Sequence, residues 1–202
     1  MTLTVPDAPA LERQWVDGAR EGDVAAREQL AQFCHRLAFL AALQLSGNRE
    51  DAKDLAQDAM VRFFASLDRF DTGRPLRPWL FRIVRNLYRD RLRRRRIRRT
   101  TSLDDDEHPV QVQVADGAAS PEEWTARHEL QKMLWEELQR IPTHYREVVV
   151  LRDYQDLAYS EIARVLRLPR GTVMSRLHRG RRMLRAAVRQ RAGSPAEEDD
   201  DA

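Results

Sequence analysis

Between residues 11 and 46 apolar side chains recur at helical spacing, with Leu30, Phe33, Leu37, Leu40 and Leu43 predicted to be buried. A break at Gly22-Asp23 divides this stretch into two helices. After the polar turn Ser46-Gly47-Asn48, the positions Leu55, Ala59, Met60, Phe63, Phe64 and Leu67 repeat every three or four residues and predict a helix to about Leu67. Asp71-Thr72-Gly73-Arg74-Pro75 ends that pattern. The next helix is predicted from about Pro78 to about Arg99, with Trp79, Leu80, Ile83, Val84, Leu87, Tyr88 and Leu92 on one side. Arg82, Arg85, Arg89, Arg93 and Arg96 occupy the other.

Residues 100–121 show no helical stripe and are rich in acids, Gly, Pro and small residues, which predicts a flexible acidic linker. Helical periodicity resumes at Glu122, with Trp124, Leu130, Met133, Leu134, Leu138 and Ile141 as the expected buried set. The run Val148-Val149-Val150-Leu151 also suits a strand, but its helical neighbours favour helix. The tail 193–202, ending in clustered acids, is expected to be disordered. The fold class expected is therefore all-α, with two small helical domains, 1–99 and 122–192, joined by the 100–121 linker.

Residues 141–184 hold two short amphipathic helices joined by a tight Leu168-Pro169 turn, the pattern of a helix-turn-helix. Ser160 is the expected N-cap of the first, with Glu161 in its first turn and Ile162, Val165 and Leu166 facing the core. Pro169 blocks its continuation. In the second, Val173, Leu177 and Leu184 share one side, while Ser175, His178, Arg179 and Arg182 share another. Gly171-Thr172 at its start lets backbone approach phosphate oxygens, which the positive end of the helix dipole favours. An αα-hairpin with a solvated basic face is the alternative reading of this segment alone.

Charge distribution bears on that choice. Ten arginines and no acid lie between Arg164 and Arg191, and twelve arginines with only Asp90 lie between Arg74 and Arg99, although the whole chain is only +3. Such segregation calls for a polyanion. Lys53 and Lys132 are the only lysines, and the arginine preference suits phosphates and base edges, although a GC-rich genome would give the same bias. A 202-residue chain with 42% hydrophobic residues can build one or two cores. It has no apolar run long enough to span a membrane, and its start lacks the charged and apolar segments of a secretion signal. A cytoplasmic protein with no membrane insertion is the expectation. Cys34 is the only cysteine, which excludes an internal disulfide and a cysteine-rich zinc site; Cys34-His35 is expected on a buried helix surface.

Asp54, Gln57, Asp58 and Val61 form a stripe opposite the apolar positions of their helix. A solvated helix face accounts for it, and Asp54 with Asp58 sharing a divalent metal is conceivable at i, i+4 spacing. No His or further inward acid completes a metal site, so neither a metal nor a cofactor is expected.

The ordered segments REGDVAAREQL, DAKDLAQDAMVRFFASLDRFD, RPWLFRIVRNLYRDRLRRR, an acidic linker, IPTHYREVVVLRDY and YSEIARVLRLPRGTVMSRLHRGRRML resemble the bacterial RNA polymerase sigma-70 family, extracytoplasmic-function group, over about residues 12 to 190. The resemblance implies a sigma-2 domain, a sigma-4 domain, core RNA polymerase and promoter DNA as partners, and an anti-sigma factor in many members. It further implies that Asp54, Gln57, Asp58 and Val61 dock on the β′ clamp coiled-coil, with the β subunit a second contact. Asp71, Arg74, Arg82, Arg85, Asn86, Arg89 and Arg93 then match the segment that binds and opens the minus-10 element. The Phe70 to Leu76 loop resembles the family's pocket for a flipped base, and Trp79, Phe81 and Tyr88 are aromatics within reach, Trp79 and Tyr88 also fitting the core. Arg170, Thr172, Met174, Ser175, Arg176, Arg179 and Arg182 match the minus-35 reader, Met174 departing from the basic or polar residue common there. DYQDLAY lacks a Gly common in relatives, which leaves its turn geometry open.

Overall fold

The computed structural model describes residues 8–99 and 121–192. The predicted linker, apart from its last residue, and the tail 193–202 lie outside the described residues. All regular structure among the described residues is helical, and the chain divides into two compact units, before and after Asp106.

The first unit has four α-helices: α1 (Ala8–Glu21), α2 (Val24–Ser46), α3 (Arg49–Ala65) and α4 (Leu76–Arg99), with a 3-10 turn at Leu67–Arg69. Asp23 stops α1 from running into α2 by accepting the Ala25 and Ala26 N–H groups at 2.8 and 3.3 Å. Gly47 at φ 70° closes α2, its N–H donating to the Leu43 carbonyl at 2.8 Å. Asn48 then caps α3 through the Glu50 and Asp51 N–H groups at 2.9 and 3.0 Å. Two consecutive caps thus make a helical hairpin from a two-residue connection, Gly47-Asn48.

The core of this unit is set by α3 and α4, where Leu55, Ala59, Phe63, Leu80, Phe81 and Val84 are almost fully buried. Each large apolar side chain so buried contributes about 1.5–3 kcal/mol. The α2 stripe is turned relative to the prediction: Leu40 is 41% exposed, Phe33 and Leu37 are half-buried, and Cys34, Ala38, Ala41, Ala42 and Leu45 join Leu30 and Leu43 inside. Small residues there let three helices approach closely, so the bulkier leucines move to the rim. His35 is exposed, so only Cys34 of that pair is buried. The last of these helices also starts at Leu76, two residues earlier than expected.

The second unit contains α5 (Pro121–Arg140), α6 (Thr143–Val149) continued by a π-turn (Val150–Tyr154), α7 (Tyr159–Leu166) and α8 (Arg170–Ala192). The valine run is helical, as expected. Leu138, Ile141, Val148, Val149, Val150, Leu151, Ile162, Val165, Val173 and Leu177 form the core. Leu130, expected inside, is 50% exposed, and Met133 and Leu134 are half-buried. The side chain of Trp124 lies outside the described residues.

Candidate nucleic-acid and polymerase interfaces

The arginines of α4 have two fates. With about 100° between successive residues, Arg82, Arg85, Asn86, Arg89, Arg93 and Arg96 fall within one arc, opposite the buried Leu80, Val84 and Leu87. Arg77, Arg91 and Arg95 point the other way and meet acids. Arg77 pairs with Glu12 of α1 at 2.9 Å, and Asp51 of α3, side chain 9% exposed, accepts from Arg91 and Arg95 at 2.7 and 2.6 Å. Arg91 also reaches Asp54 at 3.3 Å. Half-buried, charge-assisted pairs of this kind are stronger than solvated ones. They leave an outward ridge on which, among the described residues, Arg82 makes no ion pair and Arg93 is held by Asp90 at 2.7 Å.

Asp54, Gln57, Asp58 and Val61 all lie on the exposed side of α3, and Val61 is 67% exposed. Among them Asp58 has no ion pair in the described residues. It borders a cleft of about 400 Å³ between α3 and α4, floored by Leu55 and Leu87 and rimmed by Arg62, Arg91, Arg94 and Arg95. The described residues hold no cluster of three metal-ligating side chains. An acidic face on α3 and a basic face on α4 therefore diverge from a shared core.

The loop joining α3 to α4 is built by Asp71. Its Oδ1 accepts the Gly73 N–H at 3.0 Å and its Oδ2 the Arg74 Nε at 3.0 Å, so Asp71 and Arg74 are partners in an Asx-type turn. Phe70, just before, stacks on Trp79 with centroids 4.5 Å apart, and Trp79 also meets Phe63 at 4.8 Å. Of the three aromatics near this loop, Phe81 and Tyr88 are 1% and 5% exposed. They support the core and are closed to an incoming base; Trp79 alone is half-exposed.

In the second unit the cap of α7 lies two residues earlier than predicted. Its cap position is Ala158, whose N–H donates to the Glu161 carboxylate at 2.8 Å, while Ser160 lies inside the helix. Alanine has no side-chain acceptor, so Glu161 supplies the only side-chain hydrogen bond of that cap. Arg167 ends α7 in the left-handed region at φ 55°, and Leu168 donates to the Ala163 carbonyl at 2.9 Å before Pro169 starts α8. Asp156 takes φ 51° in DYQDLAY, which settles the turn that lacks a Gly. A short polar side chain tolerates this region better than a branched one.

On α8 the sequence-predicted stripe is exposed: Ser175, His178, Arg179 and Arg182, with Arg170 beside its start. Met174, 51% exposed, sits on one flank, and half-buried Thr172 and Arg176 on the other. Leu184 is half-buried rather than core. Ser175 donates its hydroxyl to the Thr172 carbonyl at 3.1 Å. Gly171 has open space around it, compatible with a close backbone approach. Two arginines of the basic run are structural: Arg181 forks onto Asp153, and Arg191 binds Glu136 at 2.5 Å and Glu137 at 3.2 Å. Both guanidinium pKa values are pushed up, first by those carboxylate hydrogen bonds. Gly180 is buried where a Cβ would lie 2.8 Å from Val149 Cγ2. It lets α8 press against α6, a role hidden in a run of arginines.

Residues 29–98 match the Sigma-70 region 2 family and residues 131–184 the Sigma-70, region 4 family. The chain is 32% identical over 171 residues to the ECF RNA polymerase sigma factor SigW of Bacillus subtilis (strain 168), covering 81% of this chain and 84% of that one. The chain belongs to the ECF group of sigma-70 RNA polymerase sigma factors. As an ECF sigma factor it directs promoter-specific transcription initiation. SigE of Mycolicibacterium smegmatis is 36% identical over 169 residues, covering 84% of this ECF factor and 62% of that chain. The solved CnrH, in complex with the cytosolic domain of CnrY, matches with a TM-score of 0.63 at 29% identity, over 89% of this chain and 98% of that one. RpoE from Bartonella quintana, in complex with the anti-sigma factor NepR, shares the fold at TM-score 0.65 and 23% identity, over 82% of this chain and 98% of that one. No helix among the described residues is long and apolar enough to cross a membrane.

Proposed function

We propose that the two units divide the work of a sigma factor between the faces described. Asp54, Gln57, Asp58 and Val61 of α3 bind the β′ clamp coiled-coil of core RNA polymerase, and the second unit adds a contact to the β subunit. Arg82, Arg85, Asn86, Arg89 and Arg93 of α4, with the Asp71–Arg74 turn, hold and open the minus-10 element. Arg170, Thr172, Met174, Ser175, Arg176, Arg179 and Arg182 bind the minus-35 duplex. Phosphate contacts position a protein on DNA, and base-edge contacts specify the sequence. The ridge arginines of α4 belong to the first kind. Asn86, with a donor and an acceptor, and Arg179 belong to the second.

The observation that carries this reading is the divergence of the acidic α3 face from the arginine ridge of α4 on one core. A stand-alone DNA-binding module has no use for the acidic face. By the same reading, residues 1–99 act as the region 2 domain, 122–192 as the region 4 domain, and 100–121 as the tether between them. The chain works in the cytoplasm, performs no chemistry of its own, and leaves nucleotide addition to the polymerase. A protein partner that covers either face would silence it, as an anti-sigma factor does.

The test is Asp58→Arg in the full chain. Core affinity should fall by at least about tenfold, equivalent to roughly 1.4 kcal/mol, while duplex minus-35 binding by the free chain stays constant. Equal loss of both would refute the division of faces. Run-off transcription from a promoter library with purified core polymerase then reads the recognised sequence directly.

A further inference from the structure

The loop Phe70–Leu76 is fixed at both ends by α1, a helix that precedes the residues matched to region 2. At one end, Arg20 donates from Nε and Nη2 to the Leu67 carbonyl at 3.2 and 2.8 Å, and Nη2 also donates to the Phe70 carbonyl. Its side chain is only 25% exposed, and among the described residues its carboxylate partner, Asp17, is 3.9 Å away. The charge is therefore spent on backbone oxygens at the end of the 3-10 turn, where carbonyls lack helical donors. At the other end, Glu12, 7% exposed, holds Arg77 in the first turn of α4 at 2.9 Å. Between these anchors lie the Phe70 ring on Trp79 and the Asp71–Arg74 turn.

We propose that Arg20 is a positioning residue for capture of an unpaired promoter base, because its guanidinium fixes the peptide that orients Phe70, Trp79 and Asp71. The proposal rests on the minus-10 reading above. A fork that satisfies two carbonyls holds the peptide plane in a way that a single donor cannot. Without it the loop keeps its residues and loses their alignment.

The experiment uses holoenzyme reconstituted with the full chain carrying Arg20→Met, Arg20→Lys or Phe70→Leu. Its probe is a single-stranded minus-10 non-template oligonucleotide with 2-aminopurine at the flipped position. Arg20→Met should weaken capture of this probe by about tenfold, with Arg20→Lys, which keeps the charge but not the fork, recovering only part of that loss. Core affinity and binding of a duplex minus-35 fragment should stay within about twofold. Combining Arg20→Met with Phe70→Leu should cost less than the sum of the two, since Arg20 holds the Phe70 carbonyl and buried Phe70 acts by backing Trp79. Unchanged capture in Arg20→Met overturns the proposal. So does a parallel loss of probe, duplex and core binding in both Arg20 variants, which would mark Arg20 as a general support of the fold. If the native holoenzyme captures the minus-10 probe no better than a scrambled one, the minus-10 reading itself fails and takes the proposal with it.

Discussion

Asp51→Asn separates the arginines that pair within the fold from those proposed to face DNA. The substitution keeps volume and one acceptor but removes the charge shared by Arg91 and Arg95, at 2.7 and 2.6 Å. A hydrogen bond to a charged group contributes about 1.5–3 kcal/mol when buried. Here the arginine side chains are 31% and 42% exposed, so water and Asp54 recover much of that. Asp51 also sits in the first turn of α3, where a negative charge contributes about 0.3–1 kcal/mol against the helix dipole. A net loss of about 1–2 kcal/mol is expected, which for a unit of this size lowers its Tm by roughly 5–15 °C.

Cys34, buried in the same unit, gives a local probe: its alkylation in increasing urea reports that unit alone. DNA binding should respond differently. Arg91 and Arg95 lie across α4 from Arg82, so the slope of log K against log salt should not change in Asp51→Asn. Arg82→Gln should reduce it by about one, with little effect on stability. A slope steeper by about two in Asp51→Asn would mean that both freed arginines join the DNA face, and the partition of α4 would be wrong. An unchanged urea midpoint would mean that the buried pair contributes nothing.

Three further outcomes follow from individual residues. Arg179→Ala should relax choice at one base pair of the minus-35 element by about 1–3 kcal/mol, read by run-off transcription from a promoter library; a uniform loss at every position would make Arg179 a phosphate ligand. Burial, and then the charge of Glu12, push the Cys34 thiol pKa up, so above pH ~8.5 the unfolded chain loses a proton that the folded one keeps. Stability of the first unit should then fall with rising pH, by up to about 1.4 kcal/mol per unit, and Cys34→Ala should flatten that part of the urea-midpoint profile. Asp156→Gly should raise the Tm of the second unit slightly, since it relieves a φ of 51° at about 1 kcal/mol and removes only a solvated contact to Arg152; a lower Tm would show that the carboxylate matters.

The sequence made the all-helical class, the Gly22-Asp23 break, the α3 stripe and the exposed polar stripe of α8 legible, because each rests on spacing within one element. It misled where burial depended on neighbours. Cys34, Ala38 and Ala42 weigh little in an apolar pattern, yet they line the α2 contact while Leu40 faces out. Phe81 and Tyr88 look like free aromatics beside a DNA-binding loop until the packing of α4 hides them. Capping was missed for a similar reason: Ser160 is the favoured residue type, but Glu161 reaching back to Ala158 does the task two residues earlier.

The arginines of α4 carry the general point. Periodicity put Arg82, Arg85, Arg89, Arg93 and Arg96 on one face, but a count of charge treats Arg77, Arg91 and Arg95 as equal to them. Their fate is decided by Glu12, Asp51 and Asp54, acids up to 65 residues distant in the chain. A basic run therefore overstates the charge offered to DNA by the number of arginines whose carboxylates the fold brings alongside. In the same way Arg20 reads as one more basic residue until its hydrogen bonds reveal a guanidinium turned onto backbone carbonyls. Long-range pairing, invisible to spacing, is what divides the arginines of α4 into a face paired with acids of α1 and α3 and an outward ridge, the one proposed to meet promoter DNA.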